Sequence, residues 1–237
     1  MKIITWNCQG AFRKKAEFIL AYQPDILVVP ECEHPDKLKF KSGIKTPADQ
    51  VWFGSNPHKG LGVFSYSDYR FKLLDGHNTA IRNVLPIAVC GGPVDFILFA
   101  VWAYNPADPD GTYTTQVWKA IHHYDELLQD NPVILTGDFN SNVIWDKPKR
   151  KDNHSAVVDR LARKGILSTY HHFERQIQGK EEQPTFFLQR NKSKPYHLDY
   201  CFASSDLMEK LASVEIGSFE TWTEHSDHSP VISIFNL

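Results

Sequence analysis

The chain has 237 residues, of which 42% are hydrophobic, 13% aromatic and 23% charged, a composition typical of globular proteins with a sizeable core. Its 26 Lys and Arg residues against 28 Asp and Glu residues give a net charge of −2. This balance excludes a chain-wide positive field that would draw the protein to nucleic acid, so such binding would need a local basic surface.

Short apolar, β-branched runs recur along the chain. Each is bounded by Gly, Pro, Asn or Asp, which commonly flank strands. In chain order the predicted strands are residues 2–6, 25–30, 61–66, 83–89, 94–104, 132–138, 185–188, 197–203, 213–219 and 230–235. Several of these runs are continuous rather than alternating, which predicts strands that are covered on both faces.

Helical patterns lie between the strands, and the clearest is TTQVWKAIHHYDELLQ at residues 114–129. Its apolar residues recur at the i, i+3, i+4 and i+7 positions of an amphipathic surface helix. Shorter helices are predicted at 12–21 and 154–164. About ten strands are too many for one open sheet. We therefore predict a single α/β domain over residues 1–237, with two packed sheets and helices outside them.

The loop at residues 141–153 is the most irregular predicted region. Within it, DKPKRKDNH brings together the only marked cluster of basic residues, Lys147, Lys149, Arg150 and Lys151. Such a cluster is either a nucleic-acid contact or a solvated loop, and the pattern leaves both interpretations open.

The protein is expected to be cytoplasmic, without a membrane contact. Its first residues, MKIITWN, already have a strand pattern and leave no room for a signal sequence. No apolar run approaches the roughly 20 residues that span a bilayer. The four cysteines, Cys8, Cys32, Cys90 and Cys201, lie in or beside apolar runs and lack the paired spacing of a structural zinc site. We expect them to be reduced, buried thiols without a disulfide.

Polar residues stand where several predicted strands end. These are Asn7, Glu31, Tyr104, Asp138 and Asn140. Each alone is an ordinary turn or strand-end residue. Together they indicate a polar site, because loops beyond one end of a rigid sheet are where such sites are assembled.

Two further acidic positions stand out. Asp199 lies inside the apolar strand pattern YHLDY, so its carboxylate needs a partner if that strand is buried. The run EHSDHSPV places Asp227 and His228 just before the last strand, and a histidine such as His228 can partner Asp199. Carboxylate and amide oxygens suit Mg²⁺. A zinc site that includes His225 is the alternative, although zinc prefers more imidazole or thiolate ligands.

The motifs TWN, PE, a Tyr before an Asn-Pro turn, GDFN, LDY and SDHSPV resemble, in kind and order, those of the endonuclease/exonuclease/phosphatase superfamily. They span residues 5–231. The resemblance is nearest to exonuclease III-type abasic endonucleases. It implies a four-layer α-β-β-α sandwich of the deoxyribonuclease I type, in which the two packed sheets are mixed and mainly antiparallel.

The resemblance also implies a Mg²⁺-dependent phosphodiester hydrolase, in which Mn²⁺ is expected to substitute. On the matching positions Glu31 resembles the metal-binding glutamate, and Asn7 and Asp227 resemble residues that help to hold the metal or its waters. The expected partner is nucleic acid, specifically DNA, and no obligate protein partner is implied.

Catalytic roles follow from the same resemblance. Asp138 matches the residue that orients or deprotonates the attacking water, and Asn140 matches one that holds a phosphate oxygen. Tyr104 matches a tyrosine that hydrogen-bonds the phosphate or the leaving oxygen. His228, oriented by Asp199, resembles the histidine that contacts the scissile phosphate.

The segment PTFFLQRNKSKPYHLDYCFAS resembles the part of abasic endonucleases that forms a pocket for a flipped-out sugar. On that match Phe186, Tyr196 and Leu198 would line the pocket, and an intact base would be excluded. Lys192 and Lys194 would contact backbone phosphates. The alternative is that Phe186 and Leu198 are simply part of the core.

The chain also departs from the abasic enzymes. Pro30 precedes Glu31 where those enzymes usually have glutamine, and the loop SNVIWDKPKRKDNHSAVV does not match theirs. Three functions therefore stay open. The expected one is a DNA nuclease of the abasic-site or 3′→5′ exonuclease type. The second is a phosphohydrolase acting on RNA, nucleotides, phospholipid head groups or inositol phosphates. The third is a non-catalytic binding module on the same fold.

Overall fold

Two six-stranded sheets form the centre of the protein, in a computed structural model that describes residues 1–78, 80–82, 84–104, 113–129 and 131–237. The strands of this part of the chain are β1 (Lys2–Thr5), β2 (Ile26–Cys32), β3 (Asp49–Asn56), β4 (Lys59–Ser65), β5 (Arg70–Leu73), β6 (Val84–Cys90), β7 (Phe96–Trp102), β8 (Val133–Asp138), β9 (Ile166–Ser168), β10 (Phe186–Phe187), β11 (Pro195–Tyr196), β12 (Asp199–Ser204), β13 (Leu211–Ile216) and β14 (Val231–Phe235). Its helices are α1 (Ala16–Leu20), α2 (Thr114–His123), α3 (His154–Ala162), α4 (Thr169–Glu174), α5 (Ser205–Met208) and α6 (Phe219–Trp222). None of these helices is long and apolar enough to cross a bilayer.

Both sheets are mixed. The first has the order β13-β14-β1-β2-β4-β3 and the second β5-β6-β7-β8-β12-β9. One pair in each sheet is parallel, β1 with β2 and β7 with β8, and the pairs flanking them are antiparallel. These orders confirm the expected mixed, mainly antiparallel sheets.

The apolar side chains form three layers of core. Between the sheets, Val28 and Val63 of the first pack with Leu98 and Ile134 of the second. Outside the second sheet, α2 and α3 bury one apolar stripe each. Outside the first sheet, α1 and α6 do the same. The resulting order of helix, sheet, sheet and helix confirms the four-layer sandwich.

The observed elements differ from the sequence predictions mainly in the edge strands of the two sheets and at the end of the longest helix. The strands β3 and β5 were not predicted, because each lies at the edge of its sheet and mixes exposed or charged residues with half-buried ones. The helix predicted over 114–129 ends at His123, after which a 3₁₀ turn spans Glu126–Leu128. Packing against the sheet, rather than periodicity, sets where that helix stops.

The cysteine prediction needs one correction. All four thiols are free, and Cys8, Cys32 and Cys201 are buried, but Cys90 is exposed. Cys90 is the last residue of β6 and pairs with Arg70 of β5, the strand at the edge of the sheet.

Gly137 lies one residue before Asp138 and lets β8 approach β7 closely. Its φ is 145°, and a Cβ atom there would lie 1.9 Å from the Val101 carbonyl oxygen. We expect Gly137→Ala to lower the free energy of unfolding by about 1–3 kcal/mol, the usual cost of overpacking. Urea unfolding will measure it, with Gly76→Ala as the control because a Cβ there meets nothing within 4 Å. Equal stability of the two variants would contradict the expectation.

Candidate active site

Four buried polar residues meet at one end of the sandwich, each delivered by a different strand. Asn7 follows β1, Asp138 ends β8, Asp199 begins β12 and His228 precedes β14. Their exposed fractions are only 2%, 0%, 0% and 5% respectively. Because charged groups are costly to bury, such a group is stable only when its members pair with one another.

Asp138 is held by two amides. Its Oδ2 atom accepts hydrogen bonds from Asn7 Nδ2 and Asn140 Nδ2, both at 2.9 Å, and its Oδ1 atom accepts one from the Asn140 backbone N–H at 2.8 Å. Asn140 has a φ of 47°, a left-handed conformation that asparagine tolerates. The GDFN turn therefore aims the carboxylate and its amide partner at one place.

His228 pairs with Asp199. The imidazole Nδ1 lies 2.8 Å from Asp199 Oδ2, which leaves Nε2 as the second nitrogen of the ring. The other oxygen of that carboxylate, Asp199 Oδ1, is buried and has no hydrogen-bond partner among the described residues. A buried carboxylate oxygen in this state calls for a further hydrogen-bond donor or a bound cation.

The backbone around His228 is locked to β1. Ser226 Oγ donates to the Asn7 carbonyl at 2.7 Å and accepts from the His228 N–H at 3.0 Å. Trp6 Nε1 donates to the His228 carbonyl at 3.0 Å. His225 points elsewhere, since its ring stacks on Phe18 at 3.8 Å. The imidazole of His228 is thus positioned before any ligand binds.

Two pKa values in this group are displaced. Burial, together with the neighbouring Asp199 carboxylate, raises the pKa of Asp138 to about 7. Burial lowers the pKa of His228, but the Asp199 and Asp138 carboxylates outweigh it and raise that pKa to about 10. Near neutral pH the imidazole of His228 is therefore protonated, while the carboxyl group of Asp138 changes charge.

Glu31 belongs to a second group beside the first. It stands at a bulge of β2 with a φ of 63°, and the bulge turns its carboxylate out of the sheet pattern. Lys59 Nζ lies 3.1 Å from Glu31 Oε2 and 4.9 Å from the centre of the Tyr104 ring. Tyr104 in turn stacks on Trp102, which pairs with Asp138 in the register of β7 and β8. The Asn-Pro turn expected after Tyr104 lies outside the described residues.

Asp227 is connected to its neighbours by a hydrogen bond from the Gln9 side chain. The Gln9 side chain donates to Asp227 Oδ2 at 2.8 Å and accepts from Arg190 at 2.6 Å. Among the three residues expected to hold a metal, Asn7 therefore lies in the buried group, Glu31 beside Lys59, and Asp227 at the end of this polar chain.

The two buried carboxylates of this group can supply oxygen ligands to a divalent cation. Ligand atoms of Asp138, Asp199 and His228 lie within 4.8 Å of one another. Asp199 Oδ1 adds a buried oxygen that the described residues leave unpartnered. Carboxylate oxygens in such a group are ligands that divalent cations accept.

A cavity of about 440 Å³ opens next to this group. Phe186, Tyr196 and Leu198 line it, as expected for the substrate pocket, together with Asn140 and Trp145. The Phe186 ring also contacts the His228 ring, with the planes tilted by 48° and the ring centres 4.7 Å apart. Leu198 is almost fully buried, so it belongs to the core and to the cavity wall at once.

The expected phosphate contacts lie on the loop between β10 and β11. Lys194 is exposed there, whereas Lys192 pairs with Glu220 and covers the Phe219 ring. In the basic run, Lys147 and Arg150 line the cavity, and Arg150 is paired with Asp152. The basic run therefore lies at the cavity rather than on a remote surface.

Sequence reasoning missed three residues near the site, namely Lys59, Gln9 and Trp145. Lys59 comes from a hairpin 28 positions beyond Glu31, and no local motif marks it. Trp145 stands in the irregular loop, where its only signal was a large apolar residue among charges.

Comparisons with known proteins agree with this geometry. Residues 4–228 match the endonuclease/exonuclease/phosphatase family. Solved structures with the same fold include an AP endonuclease from Archaeoglobus fulgidus, with a TM-score of 0.68, 17% identity and full coverage of both chains. A 3′ phosphatase from Neisseria bound to a product DNA hairpin has a TM-score of 0.66 and 20% identity, again over both whole chains. An AP endonuclease from Leishmania major has a TM-score of 0.72 and 16% identity, over 100% of this chain and 87% of the other. No curated protein sequence matches significantly. At such identities these structures establish the fold alone.

Proposed function

Because the chain belongs to the endonuclease/exonuclease/phosphatase family, we propose that it is a Mg²⁺-dependent phosphodiester hydrolase that acts on DNA, of the abasic-site endonuclease or 3′→5′ exonuclease type. The observation that carries the proposal is the buried group of Asn7, Asp138, Asp199 and His228, which opens onto a cavity lined by aromatic rings. A non-catalytic binding module has no need of a carboxylate poised to titrate near neutral pH.

Asp138 is proposed as the general base. A base works best when its pKa lies near the operating pH, and the value of about 7 meets that condition. The ionised carboxylate takes a proton from water, whose oxygen forms the new P–O bond while the bond to the leaving oxygen breaks. Asn7 and Asn140 hold the carboxylate during this step, since each donates a hydrogen bond to its Oδ2 atom.

His228 is proposed to contact the scissile phosphate. With Nδ1 bonded to Asp199, the protonated ring presents Nε2–H and a positive charge to the phosphate oxygen on which negative charge develops. Asn140 has a second amide N–H for another phosphate oxygen, and Tyr104 is proposed to donate its hydroxyl hydrogen to the phosphate or the leaving oxygen. The leaving oxygen takes up its proton from solvent, because a pKa of about 10 makes His228 a poor acid.

Glu31, Asn7 and Asp227 are proposed to hold the cation or its waters. Asp199 Oδ1, which is buried and has no hydrogen-bond partner among the described residues, is a further candidate ligand. When bound, Mg²⁺ would neutralise charge on the phosphate oxygens, and Mn²⁺ is expected to replace it. Lys59 contributes a fixed positive charge beside Glu31.

DNA is proposed as the partner because cationic side chains surround the cavity of an otherwise weakly acidic protein. Lys147 and Arg150 line it, and Lys194 is exposed on the neighbouring loop. Contacts of this kind bind backbone phosphates in a salt-dependent way. The free thiols agree with a reducing compartment, so cytoplasmic localisation stays part of the proposal.

The test is cleavage of two end-labelled duplexes, one undamaged and one carrying a single abasic analogue, with Mg²⁺ or with a chelator. Cleavage that needs the metal and returns when Mg²⁺ or Mn²⁺ is restored supports the proposal. Absence of cleavage of DNA by folded protein, with hydrolysis of RNA or a small phosphoester instead, would replace DNA as substrate. If no phosphoester is hydrolysed, a binding module is the better description.

A further inference from the structure

The cavity beside His228 is larger than the site for a sugar requires. Building on the proposed function, we propose that it binds an intact, unpaired nucleobase of the substrate, stacked against Trp145 and Tyr196. Of the two types proposed above, this selects the exonuclease type, which acts on unpaired nucleotides with their bases present, over the abasic-site type.

The cavity adjoins the catalytic group. Asn140 lines the cavity and also donates a hydrogen bond to Asp138, and Phe186 of the same wall contacts the His228 ring. A phosphate at the catalytic group therefore places the attached nucleoside at the mouth of the cavity.

The cavity is large enough to hold a base as well as a sugar. The volume of about 440 Å³ falls in the range of roughly 300–1,000 Å³ typical of pockets that enclose whole small-molecule ligands. A deoxyribose without a base is only one ring with few substituents. A pocket that excluded bases by shape would need to be closed beyond the sugar, whereas this cavity extends past Tyr196 as far as Trp145 and Arg150.

A series of aromatic side chains leads away from His228 along the cavity wall. Phe186 lies 4.7 Å from His228, Tyr196 lies 6.3 Å from Phe186, and Trp145 lies 5.0 Å from Tyr196. Each of these distances joins two ring centres. Aromatic faces of this kind are where proteins stack unpaired bases without strong preference for sequence.

Trp145 is half exposed, but the loop that carries it is held in place. Its side chain is 47% exposed, yet the loop around it is held at several points. Asn142 Oδ1 accepts from the Ile144 N–H, and Asn142 Nδ2 donates to Glu181, the His197 carbonyl and Tyr200.

The other side of the loop is equally fixed. Asp146 accepts backbone hydrogen bonds from His154 and Ser155 at the start of α3, and Asn153 exchanges two with the Lys147 backbone. A rigid backbone that leaves a tryptophan half in solvent lowers the entropy cost of binding a flat ligand. Lys147, exposed beside the ring, is placed for a neighbouring phosphate.

The experiment compares Trp145→Ala with wild type on duplexes that carry one unpaired residue, internally in one pair and at the 3′ end in another. In each pair the residue is either thymidine or its tetrahydrofuran analogue, which has no base. We expect wild type to prefer thymidine. The variant should lower the ratio of kcat/KM for thymidine to that for the analogue by about five- to a hundredfold, the effect of one lost base–aromatic stack.

Two variants complete the design. Trp145→Phe should keep most of the ratio because it keeps a ring, and Phe173→Ala should keep all of it. Phe173 is a similarly exposed aromatic residue, at 43%, on α4 away from the cavity. Anisotropy binding of the thymidine duplex in chelator reports the same stack without turnover, and it should weaken only in Trp145→Ala.

The outcomes separate the two proposals. Metal-dependent cleavage of both substrates with a ratio that Trp145→Ala leaves unchanged would overturn the base-binding role and leave the nuclease intact. A wild-type preference for the analogue would overturn it as well. Failure of wild type to cut any of the duplexes would overturn the proposed function itself, and the base-binding role with it.

Discussion

Asp138→Asn is expected to lower kcat/KM for DNA cleavage by at least about a hundredfold, the usual contribution of a general base. The amide side chain has nearly the same shape but cannot accept a proton from water. One of its terminal atoms also becomes a donor and faces the Asn7 and Asn140 amides, which donate themselves. Activity should therefore fall without any loss of the fold.

We expect the substitution to leave the stability of the protein unchanged or to raise it, in contrast to its effect on activity. The pKa of Asp138 is raised to about 7, so above pH 7 the ionised carboxylate destabilises the folded protein relative to the unfolded chain. A neutral amide removes that cost, and the thermal midpoint at pH 8 should stay the same or rise. Sites that lose activity and gain stability on substitution are typical of catalytic groups.

Steady-state cleavage and thermal unfolding of the same samples will measure both effects. Asp75→Asn is the matched control, because its carboxylate is 90% exposed and contacts only Lys72 among the described residues. A variant that keeps more than about a tenth of the wild-type rate would refute the role of Asp138 as base.

Much of the fold and part of the site follow from local sequence patterns. Strands buried on both faces read as continuous apolar runs, so β7, β8 and β14 were found from residues alone. Polar residues that interrupt or end such runs are conspicuous because burial makes them costly. Asp138 and Asp199 stand out in this way, and antiparallel pairing sets them directly opposite each other. The roles given to these residues stay predictions.

Features made by distant contacts were not visible in the sequence. Lys59 reaches Glu31 only because β4 pairs with β2 across a bulge, and a lysine in a hairpin is usually solvated. The position of Trp145 depends on hydrogen bonds that fix its loop, and their partners lie as far along the chain as Tyr200. Short strands such as β9 and β11 have too few residues to show a period, and only their pairing defines them.

Asp199→Asn is expected to move the pH profile of cleavage toward acid at both ends, and to lower the maximum by about tenfold to a hundredfold, as the loss of an orienting carboxylate does elsewhere. Wild type needs Asp138 ionised and His228 protonated. Activity should therefore rise as the pH passes about 7 and fall as it passes about 10. The Asp199 charge raises both pKa values, so its removal lowers both. The rising limb then lies below pH 7 and the falling limb below pH 10.

The measurement is kcat/KM against pH at one saturating Mg²⁺ concentration, since a bound cation also shifts carboxylate pKa values. Asp125→Asn is the control, because that carboxylate is also ion-paired, with Arg160 and Lys164, but lies on the outer helical layer. NMR titration of the imidazole in metal-free protein, with His228→Gln to assign the signal, follows the same pKa without turnover. If Asp199→Asn lowers the rate but leaves both limbs and the imidazole titration in place, the carboxylate does not control the charge of His228. Its buried, unpartnered oxygen would then point to metal binding as its main role. Movement of both limbs, with the imidazole pKa falling in step, would instead establish that one buried carboxylate sets the charge of both the base and the phosphate-binding group.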